Sequence, residues 1–580
     1  AFWDKAEERI YAALRDYAES AEAGDYQRRL FAQDAAHGFA FIDLCRKRYD
    51  AVVMNPPFGD LAENTKQMIK TAYGSDSKNI VFAFLSRAQN LSQEPVGLIV
   101  DASTSVRSSY EDSRRRLLLG DMPLSDYVFS GWNVLDANVE TCFYVTSKSN
   151  NGMINCWDIS SIEVKDKADL LHQKLNQPTI SNLIFARDFP NAAINFSLPP
   201  RLARLFSEAN SLEPLHADVR TGLSTGDNDR FYKLCWEVPV SSTDWVPLSN
   251  GGEFSPFYRP TQEVIDWRKN GLPITEYYDK NGRLVSRPQN LSYMRKRGLS
   301  YGKRGTYLAI HTHPEGRFFT NEGQGIFPTS DRNLFLLLSY LNTALCRCLI
   351  NEYCGQHKEN GYVKLIPVEN SILHQREALS EIARTIVVKL RELHAARIEH
   401  FESIGLITSS SRNLKDLIDS IKNHYSRSIA LISAAETRLN DLSQSESVIT
   451  DDGRNWIHKQ SKEIPFSGLG TRIFQWSHEG LTAEIVEQIS GYTFGRWDIR
   501  YATGERQPPE LPDPFDPLPV CPPGMLQGDD GLPLSEVEFR RQFSVVGGQG
   551  SVGEQEGKKQ SYPLDIVWSG ILVDDEKHPD

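Results

Sequence analysis

Apolar positions recur at helical spacing through residues 1–30, as in DKAEERIYAALRDYAESAEA. Short apolar runs bounded by turn residues follow: RLFAQD, FAFIDL, YDAVVMN, VGLIVDAS, DYVFSG and TCFYVTSK. Helical stretches separate several of them, notably 78–93 and 109–119. Strands alternating with helices predict a mostly parallel sheet with crossover helices, an α/β layer that ends near Asn150. Over 151–372 the runs shorten while glycine, proline and aromatics rise, which predicts a loop-rich α+β region. Residues 373–447 carry two long amphipathic helices, broken near Gly405 and a serine-rich turn at 408–411, the pattern of a helical hairpin. Residues 448–580 form a loop-rich C-terminal region. Its stretch QPPELPDPFDPLPVCPPG excludes regular helix and central sheet, and the glycine-rich segment 546–557 reads as a loop. No internal repeat is visible.

Composition narrows the class. A chain of 580 residues exceeds one core and suggests about three to five domains. No apolar run approaches the ~20 residues needed to cross a bilayer, and no signal peptide precedes the first helix. Eight scattered cysteines are too few for a disulfide framework and suit a reducing cytoplasm. The densest group is Cys346, Cys348, Cys354 and His357. Cys346 and Cys348 sit at i and i+2 of an apolar helical run, where they face apart, so the spacing is poor for zinc and no metal is expected. The net charge of −12 argues against a protein that coats DNA by charge alone, but a cleft needs only local positive potential. The chain opens inside a charged helix and closes in a charged stretch, which suggests a fragment of a longer protein.

The candidate chemistry lies where the strand Tyr49–Met54 runs into Asn55-Pro56-Pro57-Phe58-Gly59. The apolar run Ala51–Met54 is expected to lie buried inside a sheet. Ligands of open α/β sheets bind beyond the carboxyl ends of strands. Each proline fixes its own φ and restricts the residue before it to extended geometry, so this loop is stiff. An exocyclic adenine amino group has two N–H donors. The Asn55 side-chain oxygen and the Pro56 carbonyl are two acceptors for them, and Phe58 is a flat face on which an extruded base can stack. No strong base is required when the electrophile is an activated methyl group, because positioning then does most of the work.

YDAVVMNPPFG resembles motif IV of the amino-methyltransferases. More narrowly, the chain is similar to the large adenine-specific enzymes of type IIG restriction-modification and to the PglX-like enzymes of BREX phage defence. Ser77 to Phe84 sits where those enzymes have a helix after motif IV, Gly97 to Val100 matches the next strand, and Arg114 to Leu118 the helix after that. The likeness is good over 31–146, looser over 215–370 and suggestive over 490–580. It implies a partial Rossmann-like methyltransferase sheet over 1–150, a target-recognition domain over 151–372, a helical spacer over 373–447 and a C-terminal region of unassigned role. It implies transfer of a methyl group from S-adenosylmethionine to adenine N6 in duplex DNA, with base flipping. Asn55, Pro56, Pro57 and Phe58 would be the catalytic residues, and Asn55 and Asp34 the cofactor contacts. Asp43 competes with Asp34, and a plain turn aspartate is an equal alternative. Those enzymes cradle the cofactor with a glycine-rich loop after their first strand. None precedes Asn55 here, and Gly468-Leu469-Gly470 and Gly547–Gly553 lack the strand-to-helix context. The simplest expectation is that the cofactor half precedes Ala1. Tyr110 is a weak candidate for a second aromatic on the target base.

Duplex DNA as partner is suggested by residues 291–318, where Arg295, Lys296, Arg297, Lys303, Arg304 and Arg317 stand among Tyr293, Tyr301 and Tyr307. A solvated charged hairpin is the alternative. Thr221 to Phe231, with its paired glycines, resembles the opening of such recognition domains, and Leu341-Asn342 their "LN" helix. Phe494 to Tyr501 resembles BREX relatives, and its aromatics read as core rather than contact. Glu556-Gly557-Lys558 has the spacing of a nuclease metal site but lies in a loop. Three rival readings remain: a bifunctional restriction endonuclease, a non-catalytic recognition scaffold, and methylation of glutamine side chains or RNA. Other defence-system proteins are conceivable partners.

Overall fold

The computed structural model describes residues 44–59, 61, 63–135, 138–150, 152–182, 189–195, 198–238, 242–395, 414–444, 449–461, 478–493 and 497–507, with scattered positions before and after. They form two compact units, 1–197 and 198–580. The first is an α/β unit, as the alternating pattern predicts. Strands β1 (Val52–Met54), β2 (Val96–Asp101), β3 (Leu124–Gly131), β4 (Thr141–Thr146), β5 (Met153–Asp158) and β6 (Thr179–Asn182) make one sheet in the order β1-β2-β4-β3-β5-β6. The sheet runs past the boundary expected near Asn150.

It is also mixed rather than mostly parallel. β1 and β2 are parallel, with Val52 opposite Val96 and Met54 opposite Leu98, because the chain between them carries α1 (Glu63–Tyr73) and α2 (Ile80–Leu91) as a crossover. β3 and β4 are joined by residues 132–140 alone. That is shorter than a parallel crossover needs, so they pair antiparallel. The expectation for FAFIDL also fails, since Ala40, Phe41 and Leu44 are helical. A six-residue apolar run cannot by itself distinguish strand from helix.

Asn79 caps α2, its side-chain oxygen accepting from the Val81 amide at 2.8 Å. The helix buries Val81, Phe82, Leu85 and Ala88 against Val96, Leu98 and Val100, the alternating buried positions of β2. Each such side chain contributes about 1.5–3 kcal/mol relative to exposure. α3 (Glu111–Leu119) adds Leu117 and Leu118 to the same core, and α4 (Val164–Lys174) lies between β5 and β6. Arg114 of α3 is fully buried and donates to three carbonyls: Thr104 at 3.0 Å, Ala192 at 3.2 Å and Asn191 at 2.7 Å. Asn191 and Ala192 take left-handed φ of 56° and 51°, so the guanidinium binds a strained turn to the segment that follows β2.

The second unit holds two four-stranded sheets. One contains β8 (Tyr232–Leu234), β9 (Trp245–Ser249), β10 (Glu263–Asp266) and β13 (Phe318–Phe319), in the order β13-β9-β10-β8. The other contains β7 (Ala217–Arg220), β11 (Gly298–Gly302), β12 (Ile310–His313) and β14 (Gly323–Pro328), in the order β12-β11-β14-β7. Helices α5 (Leu334–Leu341) and α6 (Ala344–Asn351) are almost wholly buried. Beyond them α7 (Arg376–Ala395) and α8 (Leu414–Ser443) pack together as the two amphipathic patterns predict. Their expected break at 405–411 lies outside the described residues. No single helix among the described residues is long and apolar enough to cross a membrane.

Candidate active site and nucleic-acid interface

Met54 ends β1, and Asn55 to Phe58 continue in irregular backbone before Gly59, whose φ is +115°. The loop therefore stands at the carboxyl end of a strand, as its sequence predicts. The strand is not buried, however. β1 closes the described sheet at one side, and Val53 is 85 % exposed while Val52 and Met54 pack on the core. In the loop, Asn55 and Pro57 are exposed and Pro56 is buried. Phe58 is half-buried, one side packed against the core that α2 covers. The Asn55 side chain has no hydrogen-bond partner among the described residues.

The stretch that returns from this loop is tied down by charge. Asp76, in the turn after α1, is buried, accepts from Ser86 Oγ at 2.5 Å and pairs with Arg116 of α3. Lys78 pairs with Asp112 at 3.1 Å. β1 and β2 are parallel, so the turn after Asp101 lies at the same end of the sheet as Asn55. That turn is held from below. Thr104 and Ser105 hydrogen-bond the Tyr144 hydroxyl at 2.8 and 3.0 Å, and Ser105 meets the Tyr127 hydroxyl at 3.2 Å. Burial pushes both phenols well above their ordinary range, so they serve as neutral hydrogen-bonding groups.

Two weaker expectations fail here. Tyr110 is 5 % exposed and packs edge-to-face on Phe82 at 5.7 Å, so it is a core residue and not a platform for a base. Asp34 is exposed and lies in helical backbone, not at the end of a strand. Asp43, Gly468–Gly470, Gly547–Gly553 and Glu556–Lys558 lie outside the described residues.

In the second unit the six predicted DNA contacts do not form one patch. Arg295, Lys296 and Arg297 precede β11 and are exposed, while Lys303 and Arg304 follow it at the other end, roughly 17 Å away at strand rise. Arg295 has φ 66° and sets its guanidinium over the Phe318 ring at 5.1 Å. Lys296 lies 4.5 Å from the Tyr293 ring centre. Arg297 pairs with Asp331, Lys303 with Glu359 at 3.5 Å and Arg304 with Glu322 at 2.8 Å. Exposed pairs of this kind contribute about 0–1 kcal/mol, so a phosphate can displace them. Arg317 is 2 % exposed and donates to Thr261 Oγ1, so it does not belong to a solvent-facing row. Tyr301 is fully buried with its hydroxyl on Gln324 at 2.9 Å, and so is not an interleaved contact either.

The other motifs resolve into architecture. A Cβ on Gly222 would stand 2.2 Å from the Phe319 carbonyl oxygen, and one on Gly226, with φ +77°, would stand 2.6 Å from the Val285 side chain. The paired glycines thus allow backbones to touch. Asn342 uses its whole amide: Oδ1 accepts from the Ile310 amide at 3.1 Å and Arg347 at 2.9 Å, and Nδ2 donates to the Ile310 and Leu338 carbonyls at 2.7 and 2.9 Å. Trp497 is fully buried, and Asp498 accepts from Arg500 and Arg506, the core reading of that motif. Cys346, Cys348 and Cys354 are buried, and desolvation pushes their thiols up to about 12.

Sequence reasoning missed one cluster. Arg259, His311 and Arg317 converge with Asn250 around a cavity of about 180 Å³. Asn250 and Arg259 lie some fifty residues or more before His311 and Arg317, Arg317 was singled out only as a DNA contact, and neither histidine of Ile310–His313 stands in any ligand spacing.

Comparison with known proteins bears on the first unit. Residues 3–131 match the Eco57I restriction-modification methylase family, a span that includes β1, the Asn55–Phe58 loop, β2 and α3. No curated protein matches the chain. Among solved structures, the Type IIL restriction-modification enzyme MmeI in complex with DNA is similar at 12% identity and TM-score 0.46, over 73% of this chain and 57% of that one. A nuclease-deletion mutant of the Type ISP enzyme LlaGI with a DNA substrate mimic is 12% identical at TM-score 0.38, over 64% of this chain and 44% of that one. The DrdV–DNA complex is 10% identical at TM-score 0.38, over 66% and 48%. The chain therefore spans about half the length of these solved structures.

Proposed function

We propose that this chain carries the acceptor-binding part of a site-specific DNA methyltransferase that modifies adenine N6 in duplex DNA, in restriction-modification or phage defence. The observation that carries the reading is the exposed Asn55 amide, without a partner among the described residues, fixed by two prolines at the carboxyl end of β1. Methylase family likeness over residues 3–131 supports it.

The chain's own residues act on the acceptor. Asn55 Oδ1 and the Pro56 carbonyl accept the two N–H bonds of the exocyclic amine and turn its lone pair outward. Pro56 and Pro57 have no N–H, so this part of the loop offers acceptors and no donors. Phe58, with one side against the core, presents its other side to a base taken out of the stack. S-adenosylmethionine, as methyl donor, supplies an activated methyl group. The described residues contain no glycine-rich strand-to-helix turn to hold it, and Asp34 is exposed on helical backbone, so no cofactor contact is assigned within this chain.

The test is methylation of adenine in host DNA on expression of the full-length gene, mapped base by base. Loss of one of two acceptors on the reacting amine predicts a fall of about 10²–10³ in rate for Asn55→Ala. Phe58→Ala is expected to weaken use of duplex more than of single-stranded substrate, where no base must be extruded. Unchanged methylation in the Asn55 variant refutes the mechanism. Duplex binding without methylation by the wild type would instead identify a recognition scaffold.

A further inference from the structure

We propose that the second unit contains a phosphate-binding pocket formed by Arg259, Arg317 and His311. The loop between β9 and β10 carries Arg259, which is held by a hydrogen bond from Nη1 to the Asn250 carbonyl at 2.9 Å. Gly252 lets it lie close, since a Cβ there would be 2.0 Å from Nη2. Arg317 enters from the start of β13, anchored on Thr261. His311 comes from β12, is 2 % exposed, and among the described residues neither ring nitrogen has a hydrogen-bond partner. The nearby Ser255 backbone does not meet hydrogen-bond geometry with it.

A buried imidazole without partners is destabilising unless something completes it. The ring lines the cavity of about 180 Å³ with both guanidinium groups, several times the ~30 Å³ that one water takes in the liquid. Two arginines and one carboxylate, Glu263, line this space, so its lining carries net positive charge; the exposed Glu253 acts on Arg259 from outside it. The two guanidiniums repel, and together with burial they hold His311 well below its ordinary range. A tetrahedral oxyanion answers all of this: it neutralises the excess charge, accepts from both arginines and accepts an N–H from the imidazole. Planar guanidinium forks favour phosphate over a spherical anion such as chloride.

The same ring also lines a second cavity of about 430 Å³, beside Phe254, Tyr307 and Arg304. The pocket therefore adjoins one of the basic positions assigned to DNA. The phosphate can be a free ion or a backbone phosphodiester, and the second source rests on the DNA reading above.

The experiment is calorimetric titration of the full chain with inorganic phosphate at constant ionic strength, with chloride as control, alongside binding of a short duplex at several salt concentrations. Wild type is expected to bind one phosphate and no chloride. Arg259→Gln should weaken phosphate at least tenfold, and Arg259→Lys should restore part of it. His311→Gln, a second variant on a different strand, should weaken it too. If the source is the backbone, Arg259→Gln also lowers the salt slope of duplex binding by about one. An unchanged duplex slope with phosphate binding lost assigns the pocket to the free ion. Phosphate binding by a wild-type chain that binds no duplex would sink the DNA reading and keep the pocket. No phosphate binding by wild type, or wild-type affinity in both Arg259→Gln and His311→Gln, overturns it.

Discussion

Asn342→Ala is the sharpest test of how the second unit is held together. The amide of Asn342 makes four hydrogen bonds in a site that is 2 % exposed. Two of its partners have other bonds: the Ile310 carbonyl also accepts from the Phe257 amide at 2.6 Å, and Arg347 also donates to the Leu308 carbonyl at 3.0 Å. The Ile310 amide has only Asn342 on this outer edge of β12, and truncation strands it without water. Counting only the other two bonds, a net loss of about 1 kcal/mol each plus about 1–3 kcal/mol for the stranded donor gives about 3–5 kcal/mol. At ~2–4 °C per kcal/mol for a large domain, the unfolding midpoint should fall by roughly 6–20 °C. Hydrogen exchange should localise the damage, with the Ile310–His313 amides losing protection before those of β14. Asn342→Asp keeps an acceptor for Ile310 and Arg347 but loses both donated bonds, and should fall between wild type and alanine. A midpoint within about 2 °C of wild type, with unchanged exchange in β12, refutes the argument.

Glu436 of α8 is buried, and desolvation raises its carboxyl to about 8, offset in part by the Arg347 guanidinium. Its folded value lies above its unfolded one, so the folded chain holds a proton the unfolded chain releases between those values. Stability should therefore fall as pH rises from about 5 to 8. Glu436→Gln should flatten that slope and stabilise by a few kcal/mol (~1.4 per pKa unit) at pH 8 but little at pH 5; parallel urea midpoints for the two proteins would contradict this. Gly222→Ala places a methyl 2.2 Å from the Phe319 carbonyl oxygen, backbone against backbone. It should cost about 3 kcal/mol or more and drive the chain into the insoluble fraction, whereas Gly282→Ser, with φ +75° but nothing within 4 Å of its Cβ, should stay soluble. Equal solubility would refute the close approach at Gly222.

What the sequence made legible follows from how local each signal is. The Asn55–Phe58 loop was readable because strand, prolines and aromatic are contiguous, and its place at a strand end follows from local geometry. The hairpin helices were readable because helical spacing persists over their length. The exposure of Val53 was not, since an apolar run does not say whether its strand has one neighbour or two. The row of basic residues misled for a related reason. Adjacency along the chain put Arg295 and Arg317 in one group, yet a strand separates Lys303 from Arg297 and burial removes Arg317 from the surface. The pocket around His311 was invisible because Arg259, on a loop, lies more than fifty residues before His311 on a strand edge and Arg317 at a strand start. The unsatisfied imbalance of charge that marks it exists only once they are brought together.

The two proposed sites differ in the ligand chemistry each would select. At Asn55 the loop has an exposed amide oxygen and backbone carbonyls, while two consecutive prolines delete the N–H groups that would otherwise compete. A phosphate or carboxylate finds nothing there to accept from along Pro56 and Pro57, whereas a neutral amine finds two acceptors. At His311 the situation is reversed. The outer edge of β12 is closed by Asn342 and by the Phe257 backbone, which donates to Ile310 and accepts from Thr312 at 3.2 Å, so backbone groups there are already satisfied. The side chains that line the cavity include two guanidiniums and the His311 ring against the one carboxylate of Glu263. An amine would be repelled by Arg259 and Arg317, and an oxyanion is drawn in. One site selects a donor and the other an acceptor, as the base amine and the phosphate of a nucleotide chain would require.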